Sequence, residues 1–474
     1  MKTDDNANSL PAGIAFVPVP YVKADVPHSY WTLACVAKAL GTGPKASHAL
    51  AGVSTDTRAI RRGDCFVALV GEKYDAHDFL NIAKEQGAAA FVVSNAAAAV
   101  GLGVPTYVVP DTLFALGQLA TAWRRAWSRP VIAVAGSNGK TSTKDMLRAA
   151  LGSTLAVHAT TGNLNNLVGV PLTLLAIPAH ADVAVVELGT NMPGEVARLR
   201  AITEPNMAVL TSIGEEHLEG LGDLAGVLRE ETEVFRDVEL AIVPAAYPDA
   251  VAIARTRAER VVTTGLTDGD VMPSAWGLNE DGSGWLTVDD VRVQLSLRGE
   301  HQVANAVLVI AIAKACGVPL ERAAEALRTM PVPNMRGVWE RLGDAVLIND
   351  AYNANPASAR AAINLLNSVG EGRQRVAVLG SMRELGATSK AQHEAVAVAA
   401  LASKADLIAA VGDFAAAFTT VAPNDARVVF APEFENLWTL LEPRLRRNAV
   451  ILLKASRGAK MERLVPFLTA WANK

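Results

Sequence analysis

The chain has 474 residues, a formal net charge of −4, 50 % hydrophobic residues and 19 % charged residues. This length suggests about three domains, and the composition is typical of a soluble globular protein. Because no block is rich in lysine or arginine, nucleic acids and acidic membranes gain little support as partners.

The cysteines and the apolar runs indicate the compartment. Cys35, Cys65 and Cys316 lie far apart and lack the spacing of metal ligands, which fits a reducing compartment. No apolar run is long enough to span a bilayer. We therefore expect a cytoplasmic protein without membrane insertion, and we expect it to be a monomer.

The first part of the chain predicts an extension and a small α/β domain. Residues 1–28 begin with acidic and amide side chains and then carry four prolines. This pattern fits neither a signal peptide nor a helix, so we predict a flexible extension. Residues 29–110 predict the first domain, with a helix at 31–40 and strand-like runs at 54–58, 65–69, 90–93 and 107–109.

Residues 111–330 predict a central, doubly wound parallel sheet. Asp111 can cap a helix that runs through Trp123, and short apolar runs then alternate with helical segments. The buried strand-like runs are 131–134, 183–186, 207–210 and 241–243. The stretch 261–297 alternates polar and apolar residues and predicts a small appended β element, and 301–316 predicts a buried helix.

Residues 331–474 predict a third, Rossmann-like α/β domain. Pro331, Pro333 and Asn334 mark its boundary, and the alternation of strands and helices begins again after them. Strands are predicted at 346–348, 376–379, 407–411 and 450–453, with helices near 358–366 and 391–401. The predicted fold class is therefore α/β, with three domains.

The most informative segment is the glycine-rich turn that follows the strand at 131–134 and precedes a helical segment at 142–151. A strand, such a turn and a helix opening on Gly-Lys-Thr are the context of a P-loop. Backbone N–H groups and the helix N-terminus can hold phosphate, and Lys140 and Thr141 can reach phosphate and Mg²⁺. An ordinary glycine-rich turn is the alternative, and the flanking elements favour nucleotide binding. The predicted phosphate-binding residues are Gly136, Ser137, Asn138, Gly139, Lys140, Thr141 and Ser142.

Glu187 is the first candidate metal ligand outside the P-loop. It ends the apolar run 183–186, at the edge where open α/β sheets bind their ligands. A carboxylate in that position can hold Mg²⁺ beside Thr141. An exposed loop glutamate is the alternative.

The form of the P-loop carries a resemblance to a known family. Val134 stands where the broader Gly-x-x-x-x-Gly-Lys pattern has a glycine. In this form the turn resembles that of the Mur ligases of peptidoglycan synthesis, which share Gly-[Ser/Thr]-Asn-Gly-Lys-Thr with the folate polyglutamate synthases. The resemblance extends over the segments Thr161–Asn166, Glu187–Gly189, Pro193–Glu195, Gly214–Glu219, Asp350–Pro356 and Gly380–Gly386.

The resemblance implies an ATP-dependent amide ligase of peptidoglycan precursor synthesis. The segment Asp350–Pro356 is similar to that of the member that joins D-alanyl-D-alanine to UDP-N-acetylmuramoyl-tripeptide, with ATP and two Mg²⁺ ions. Joining a carboxylate to an amine in water is uphill, and ATP drives it by converting the carboxylate into an acyl phosphate. Phosphoryl transfer requires positioning and charge neutralisation rather than a protein nucleophile. The implied catalytic residues are Lys140, Glu187, His217 and Glu231.

Two of the implied metal ligands, His217 and Glu231, rest on the resemblance. Histidine is an unusual Mg²⁺ ligand, so chemistry alone favours a loop or core histidine at 217. At position 231 the family usually carries a carbamoylated lysine, and this chain has Glu231. We hypothesise that its carboxylate replaces the carbamate directly, because Mg²⁺ prefers oxygen ligands. A solvated acidic helix face is the alternative.

Contacts to adenine and ribose must come from outside the P-loop, which holds only phosphates. His301 and Asn305 are four residues apart and share a helical face, in a segment that resembles the family's helix near adenine. Arg336, Asp350 and Asn353 resemble the part of the C-terminal domain that closes on ATP. We expect this closure to complete the site and to exclude water. A surface arginine is the alternative for Arg336.

Substrate contacts are implied in three further segments, each of which contains hydroxyl or amide side chains. The segment 54–58 resembles the family's uridine-binding region, the segment 161–166 its muramoyl-diphosphate contacts, and the segment 454–457 a C-terminal Lys-Gly-Ser-Arg motif that has Ala455 in place of glycine. Polar turns are the alternative for each. The implied substrate-binding residues are Thr55, Thr57, Thr161, Asn163, Asn165, Asn166, Ser456 and Arg457.

Two other functions stay open from the sequence. One is a ligase similar to folate polyglutamate synthase, which the Asn-rich segment and the uridine-like domain argue against. The other is a non-catalytic nucleotide-binding subunit on the same scaffold, favoured by the departures at Glu231, Ser381, Arg383 and Ala455. The third residue of the tripeptide, diaminopimelate or lysine, is not indicated.

Overall fold

The computed structural model describes residues 30–474, and the predicted flexible extension at 1–28 lies outside the described residues. Within 30–474, no helix is both long and apolar enough to cross a membrane. The first unit contains α1 (Leu33–Leu40), β1 (Val53–Ser54), β2 (Cys65–Val67), α2 (Leu80–Glu85), β3 (Ala90–Val93) and β4 (Thr106–Val108). Its four strands form one parallel sheet in sequence order.

Helix α3 (Thr112–Trp127) links this sheet to the next one. The Asp111 carboxylate accepts the backbone N–H groups of Leu113 and Phe114 at 2.8 and 3.0 Å, which confirms the predicted N-cap. The buried face of α3, which ends at Trp127, packs in one continuous core with residues of both neighbouring sheets. The first two units therefore share their hydrophobic core.

The central unit is the predicted doubly wound parallel sheet. Its strand order is β10-β9-β8-β5-β7-β6, and every pairing is parallel. Helix α4 begins at Lys140, two residues before the predicted start. The elements are β5 (Val131–Ala135), α4 (Lys140–Gly152), β6 (Val157–Ala159), α5 (Gly169–Leu175), β7 (Val183–Glu187), α6 (Glu195–Thr203), β8 (Met207–Leu210), α7 (Leu218–Leu221), α8 (Leu224–Glu231), β9 (Leu240–Pro244), α9 (Pro248–Arg257) and β10 (Arg260–Thr264).

The appended β element is confirmed in part. Strands β11 (Ala275–Leu278), β12 (Ser283–Val288) and β13 (Val291–Arg298) form an antiparallel sheet. The start of the predicted stretch is instead β10, which pairs with β9 and completes the central sheet. The predicted buried helix is α10 (Glu300–Ala315), and together with α11 (Leu320–Thr329) it packs against α4. The helix that follows the P-loop is thereby fixed from behind.

The C-terminal unit is a second α/β sheet in the order β14-β15-β19-β16-β17-β18. Only its first pairing, β14 with β15, is antiparallel. Edge strands β14 and β18 are mostly half-buried, and their weaker apolar pattern explains why the sequence did not predict them. The elements are β14 (Val338–Leu342), β15 (Ala345–Asp350), α12 (Pro356–Ser368), β16 (Arg375–Leu379), α13 (Ser389–Leu401), β17 (Leu407–Val411), α14 (Asp413–Val421), β18 (Val428–Ala431), α15 (Phe434–Leu441), β19 (Val450–Lys454) and α16 (Val465–Ala472).

The predicted domain limits fall between these sheets. The limit after residue 110 precedes α3, and the limit after residue 330 precedes β14. Helix α3 shares one hydrophobic core with both units that it joins. The two domain limits, after residues 110 and 330, both stay predictions.

Candidate active site

The P-loop lies in the middle of the central sheet's carboxyl edge. It follows β5, which pairs with β7 on one side and with β8 on the other. The register places Val134 opposite Glu187, so the last residue of β7 lies beside the start of the loop. Helix α4 then opens at Lys140, and a helix N-terminus favours bound anions. This is the edge at which open α/β sheets bind ligands.

The loop that follows β8 holds the P-loop in shape. The backbone N–H of Ser137 donates to the Ser212 carbonyl at 2.9 Å, and that of Asn138 donates to the Ser212 hydroxyl at 2.8 Å. The Ser137 hydroxyl in turn bonds both the carbonyl and the N–H of Gly214. Ser212 therefore positions the phosphate-binding loop, a role that a serine after a strand does not reveal in sequence.

The Thr141 hydroxyl and Glu187 meet as predicted for a metal site. Thr141 Oγ1 donates to Glu187 Oε1 at 3.2 Å, and Asn165 Nδ2 donates to the same oxygen at 2.9 Å. The other oxygen, Oε2, is buried and has no hydrogen-bond partner. A hydroxyl and an unpaired carboxylate oxygen form a donor set that fits Mg²⁺.

Lys140 is folded back onto its own loop. Its Nζ donates to the Gly136 carbonyl and lies 3.6 Å from Glu216 Oε1 and 3.9 Å from Glu231 Oε1. Burial opposes the charged ammonium, but the carboxylates of Glu216, Glu231 and Glu187 outweigh it and raise the pKa of Lys140. Lys140 is therefore a cation enclosed by acidic groups.

Glu231 lies behind the P-loop, where its carboxylate faces the Lys140 ammonium. Its side chain is fully buried, and its Oε2 accepts the Gly136 N–H at 2.6 Å. The neighbouring Glu230 is also buried, so the alternative of a solvated acidic face is wrong. Glu216, which the sequence did not predict as a site residue, faces the same ammonium. Burial raises the pKa of Glu216 well above its ordinary value, and the nearby Glu231 adds to this against the attraction of Lys140.

His217 joins the central unit to the C-terminal unit. Its backbone is left-handed, with φ of 49°, and its Nδ1 lies 2.5 Å from Glu384 Oε2. The Glu384 carbonyl also accepts the N–H of Glu219 at 3.2 Å. The contact with His217 lowers the pKa of Glu384. On the other side of the ring, Nε2 lies 3.7 Å from Glu216 Oε2. His217 therefore lies between Glu216 of the central unit and Glu384 of the C-terminal unit.

Two further contacts bring the C-terminal unit to the P-loop. Asn355 Nδ2 donates to Asn138 Oδ1 at 2.9 Å. The Arg336 guanidinium lies 4.1 Å from the centre of the Tyr352 ring and borders the same cavity as Lys140. Arg336 therefore holds a positive charge opposite the phosphate-binding loop.

Asp350 is held by Lys454, which belongs to the segment 454–457 but was not among the predicted site residues. The two residues end the paired strands β15 and β19 in register. Lys454 Nζ lies 2.7 Å from Asp350 Oδ2 and donates to the Asn353 carbonyl at 2.8 Å. These contacts fix the start of the segment Asp350–Pro356, which begins at the last residue of β15.

One cavity of about 560 Å³ lies between the central and C-terminal units. It brings together residues predicted from the P-loop, the Asn-rich segment, the metal set and the ATP set. Gln302, which donates to the Ser142 hydroxyl at 3.3 Å, also borders it and was not predicted. The predicted residues that border the cavity are Ser137, Asn138, Gly139, Lys140, Thr141, Ser142, Asn163, Asn165, Asn166, Glu187, His217, His301, Arg336, Asp350 and Asn353.

Other predicted residues lie outside the cavity lining. Asn305 is buried against Gly139, where a Cβ on the glycine would come within 2.8 Å of its amide, so it packs under the P-loop. Ser456 is buried and hydrogen-bonds the backbone of Ala354 and Arg383. The predicted residues outside the lining are Gly136, Glu231, Asn305, Thr55, Thr57, Thr161, Ser456 and Arg457.

The positions of three of these residues have simple causes. Thr55 and Thr57 follow β1, in a separate sheet of the first unit. Arg457 is exposed and contacts the Met335 sulfur and Glu462. The ATP contact expected of Asn305 stays a prediction.

The protein side chains alone do not form a metal cage. Among residues 30–474, no three His, Cys, Asp or Glu side chains are grouped so that they could hold a metal ion. Mg²⁺ is usually held by one or two carboxylates together with substrate phosphates. The pair formed by Thr141 and Glu187, with its unpaired oxygen, fits that description at the edge of the P-loop.

The fold and the cavity define a P-loop nucleotide-binding protein whose phosphate site faces a second α/β domain. Three family models match the chain: "Mur ligase family, catalytic domain" over residues 49–124, "Mur ligase middle domain" over 134–313 and "Mur ligase, glutamate ligase domain" over 336–457. The chain belongs to the Mur ligase family.

Individual relatives agree with this assignment. The chain is 34 % identical to the UDP-N-acetylmuramoyl-tripeptide--D-alanyl-D-alanine ligase of Bacillus subtilis strain 168, over 87 % of this chain and 92 % of that protein. It is 35 % identical to the protein of the same name from Escherichia coli strain K12, over 88 % and 93 %. The structure of MurF from Acinetobacter baumannii superposes with a TM-score of 0.85 at 31 % identity, over 93 % of this chain and 99 % of the other.

Proposed function

We propose that this chain is the ATP-dependent ligase that joins D-alanyl-D-alanine to UDP-N-acetylmuramoyl-tripeptide in peptidoglycan precursor synthesis. Relatives that bear this name match most of the chain at 34 and 35 % identity. The observation that carries the proposal is the cavity in which Lys140, Thr141 and Glu187 face Arg336 and Asp350. Phosphate-binding groups of one domain thereby face cationic and acidic groups of the other.

The chemistry follows from what these groups can do. The tripeptide carboxylate attacks the γ-phosphorus of ATP, ADP leaves, and the carboxylate becomes an acyl phosphate. The amine of D-alanyl-D-alanine then attacks the acyl carbon, inorganic phosphate leaves, and the amine loses a proton as the amide bond forms. Lys140 and the N–H groups at the start of α4 hold phosphate oxygens and neutralise the charge of the transferred group. Arg336, on the opposite wall of the cavity, adds positive charge when the domains close.

We propose that two Mg²⁺ ions are used. Thr141 and Glu187 hold the first, for which the unpaired Oε2 of Glu187 is the supporting observation. His217 and Glu231 hold the second, and Glu231 replaces the carbamoylated lysine usual in the family. Bound Mg²⁺ supplies charge neutralisation at the phosphates and at the attacking carboxylate.

The remaining site residues are assigned by position. His301, Asp350 and Asn353 border the cavity and are proposed to contact adenine and ribose. Asn163 and Asn166 are proposed to contact the muramoyl-diphosphate part. Asn165, which donates to Glu187, positions the metal-binding carboxylate.

The uridine part is proposed to lie on the first domain, near Thr55 and Thr57. Thr161, Ser456 and Arg457 stay predicted substrate contacts. We also propose that the enzyme acts as a monomer in the cytoplasm.

The test is phosphate release from ATP and Mg²⁺ in CO₂-depleted buffer, with UDP-N-acetylmuramoyl-tripeptide and with or without D-alanyl-D-alanine. We expect sustained release only when both substrates are present, together with formation of the pentapeptide product. Full activity without added bicarbonate is expected if Glu231 replaces the carbamate. Activation by bicarbonate would contradict that replacement but not the ligase.

The same phosphate-release assay, run also with a folate and glutamate, separates the two other functions. A folate polyglutamate synthase-like ligase would turn over with a folate and glutamate, and a non-catalytic subunit would bind ATP without turnover. The resemblance to the Mycobacterium tuberculosis folylpolyglutamate synthase concerns the fold alone, with 20 % identity and a TM-score of 0.62. The ligase for D-alanyl-D-alanine is therefore the favoured assignment.

A further inference from the structure

The loop Gly380–Gly386, which follows β16, carries a contact from the C-terminal unit to the central unit. Glu384 Oε2 lies 2.5 Å from His217 Nδ1, and the Glu384 carbonyl accepts the backbone N–H of Glu219 at 3.2 Å. Glu384 has a left-handed backbone, with φ of 64°, a conformation that a glutamate keeps when its surroundings hold it there. The interdomain contact therefore depends on how this loop is held.

Side chains from outside the loop hold two of its successive amides. The Arg383 N–H donates to the Ser456 hydroxyl at 3.0 Å, and the Met382 N–H donates to Nε2 of His393 at 2.9 Å. His393 lies on α13, and its side chain is 1 % exposed. A serine hydroxyl keeps its hydrogen-bonding capacity across the physiological pH range, whereas that of a histidine changes with protonation. His393 is therefore the anchor of this loop that responds to pH.

The hydrogen bonds of His393 define its protonation state. Nδ1 lies 2.7 Å from the Ser389 carbonyl, which can only accept, so Nδ1 carries a hydrogen. Nε2 accepts the Met382 N–H and therefore carries none. Burial lowers the pKa of His393, and the Ser389 carbonyl and the Asp413 carboxylate oppose this with smaller effects. The ring is a neutral imidazole with both nitrogens in use.

Protonation exchanges one partner of this ring for another. An imidazolium has an N–H at Nε2, which faces the Met382 N–H and cannot accept it. On α14, the Asp413 carboxylate lies 4.0 Å from the same nitrogen, and its side chain is 59 % exposed. A carboxylate at this distance favours the charged ring. Asp413 is therefore the group with which a protonated His393 pairs.

The other charged side chains of the neighbouring elements have different partners or lie in solvent. In the loop, the side chains of Arg383 and Glu384 are exposed, and Glu384 faces His217. On α13 itself, Lys390 and Glu394 lie 4.0 Å from each other. The balance at Nε2 is thus between the loop amide and the carboxylate of α14.

We propose that His393 is a positioning residue: as a neutral imidazole it holds the loop Gly380–Gly386 against the central unit, and when protonated it releases the loop and pairs with Asp413. His393 lies outside the cavity lining, so it acts through the loop and not on the reacting groups. This inference rests on the proposed function only where turnover is the readout.

The direction of the pH dependence follows from the shift. Because the pKa of His393 in the folded protein is lowered from the ordinary value of about 6.5, folding favours the neutral ring. The loop contact is complete above that ordinary value, and it is lost as the pH falls below it toward the lowered pKa. Holding of the loop is therefore lost on the acid side.

The experiment compares three variants with the full-length wild-type chain. His393→Gln offers a neutral amide oxygen to the Met382 N–H and does not titrate, whereas His393→Leu removes the acceptor and keeps a similar volume. Asp413→Asn removes the carboxylate. His180→Gln is the matched control, because it removes an exposed histidine of the central unit.

Two measurements are made on each protein at matched pH. Hydrogen–deuterium exchange with mass spectrometry follows the peptides that contain residues 380–386 and Glu219, whose amide donates to the loop. Phosphate release with both substrates gives kcat across the pH range. Thermal unfolding confirms that each variant is folded.

At about pH 8, both peptides should exchange about fivefold faster in His393→Leu than in the wild type, the equivalent of one hydrogen bond. His393→Gln and His180→Gln should match the wild type. As the pH falls to about 5.5, the wild type should lose protection that His393→Gln keeps, and its kcat should fall about fivefold further. Asp413→Asn should move this acid loss to lower pH, because the imidazolium loses its partner.

The proposal is overturned if His393→Gln loses protection and kcat with falling pH as the wild type does. It is also overturned if folded His393→Leu protects both peptides as the wild type does. An acid loss that stays at the same pH in Asp413→Asn would refute the pairing with that carboxylate. The expected exchange pattern in a chain without turnover would refute the proposed function alone, whereas normal turnover with equal exchange in all variants would refute this inference alone.

Discussion

Two lysine–carboxylate groups face the cavity, one from each domain, and they are built differently. Lys454 Nζ lies 2.7 Å from Asp350 and donates to the Asn353 carbonyl at 2.8 Å, so both of these partners are within hydrogen-bonding distance. Lys140 lies 3.6 Å or more from its two carboxylates and donates to its own loop. The first group is suited to holding a segment in place, and the second to releasing its cation.

The difference has a cause in the backbone. Asp350 and Lys454 end adjacent parallel strands in register, so the ladder fixes the distance between them. Lys140 begins a helix after a glycine-rich turn, and its carboxylate neighbours come from two separate segments. Strand pairing therefore produces a rigid contact on one side of the cavity, and loop packing produces an adjustable one on the other.

The largest effect on turnover is expected when the ammonium of Lys140 is removed. Lys140→Met should lower kcat for phosphate release by about 10³-fold, because a preorganised positive charge on the transferred phosphoryl group is lost. Steady-state phosphate release with both substrates measures it. Lys390→Met, at a lysine whose side chain is 84 % exposed, is the control and should be unchanged.

At the pair formed by Lys454 and Asp350, we expect a smaller effect on turnover but a clear effect on the free energy of unfolding. Lys454→Met leaves Asp350 without its partner and should lower the free energy of unfolding by about 3 kcal/mol. Urea denaturation measures it. Adding Asp350→Asn should recover most of that loss, because the unpaired charge is removed.

If Lys454→Met and the double variant Lys454→Met/Asp350→Asn lost the same free energy of unfolding, the contrast between the two lysine–carboxylate groups would be contradicted. It would mean that the lysine stabilises through its packing, and not by pairing with Asp350. The double-mutant cycle isolates the pairwise term provided that neither single variant makes new contacts.

The same contrast explains how much of the site could be predicted from sequence. The Thr141–Glu187 contact follows from strand order, because consecutive buried runs with helices between them form a parallel sheet whose carboxyl ends share one edge. The α/β class and most core strands were predicted for the same reason. These features depend on local patterns that repeat along the chain.

Features that depend on tertiary packing could not be predicted in this way. Glu216 stood in a recognised segment, but nothing in the sequence placed it against Lys140, and Lys454 required knowledge of which strands pair. Asn305 shares a helical face with His301, yet α10 turns it against Gly139. Glu231 was predicted as a metal ligand, and its contact with the Gly136 N–H depends on how α8 packs.

The smallest effect is expected at the contact between Asn355 of the C-terminal unit and Asn138 of the P-loop. The Asn355 side chain has two roles: its Oδ1 accepts the Ser358 N–H at the start of α12, and its Nδ2 donates to Asn138 at 2.9 Å. Asn355→Ser keeps an N-cap but cannot reach the P-loop. We expect KM for ATP to rise about fivefold, the equivalent of one hydrogen bond, with stability unchanged within about 0.5 kcal/mol.

Asn355→Ala is the matched variant, because it removes both roles of the side chain. It should show the same rise in KM for ATP and, in addition, a loss of about 1 kcal/mol in the free energy of unfolding. If the serine variant left KM unchanged while the alanine variant raised it, the contact with Asn138 would have no part in closure. The rise in KM would then come from the start of α12. The contact between the P-loop side and the C-terminal side of the cavity would have to be made by His217 and Glu384, which lie 2.5 Å apart.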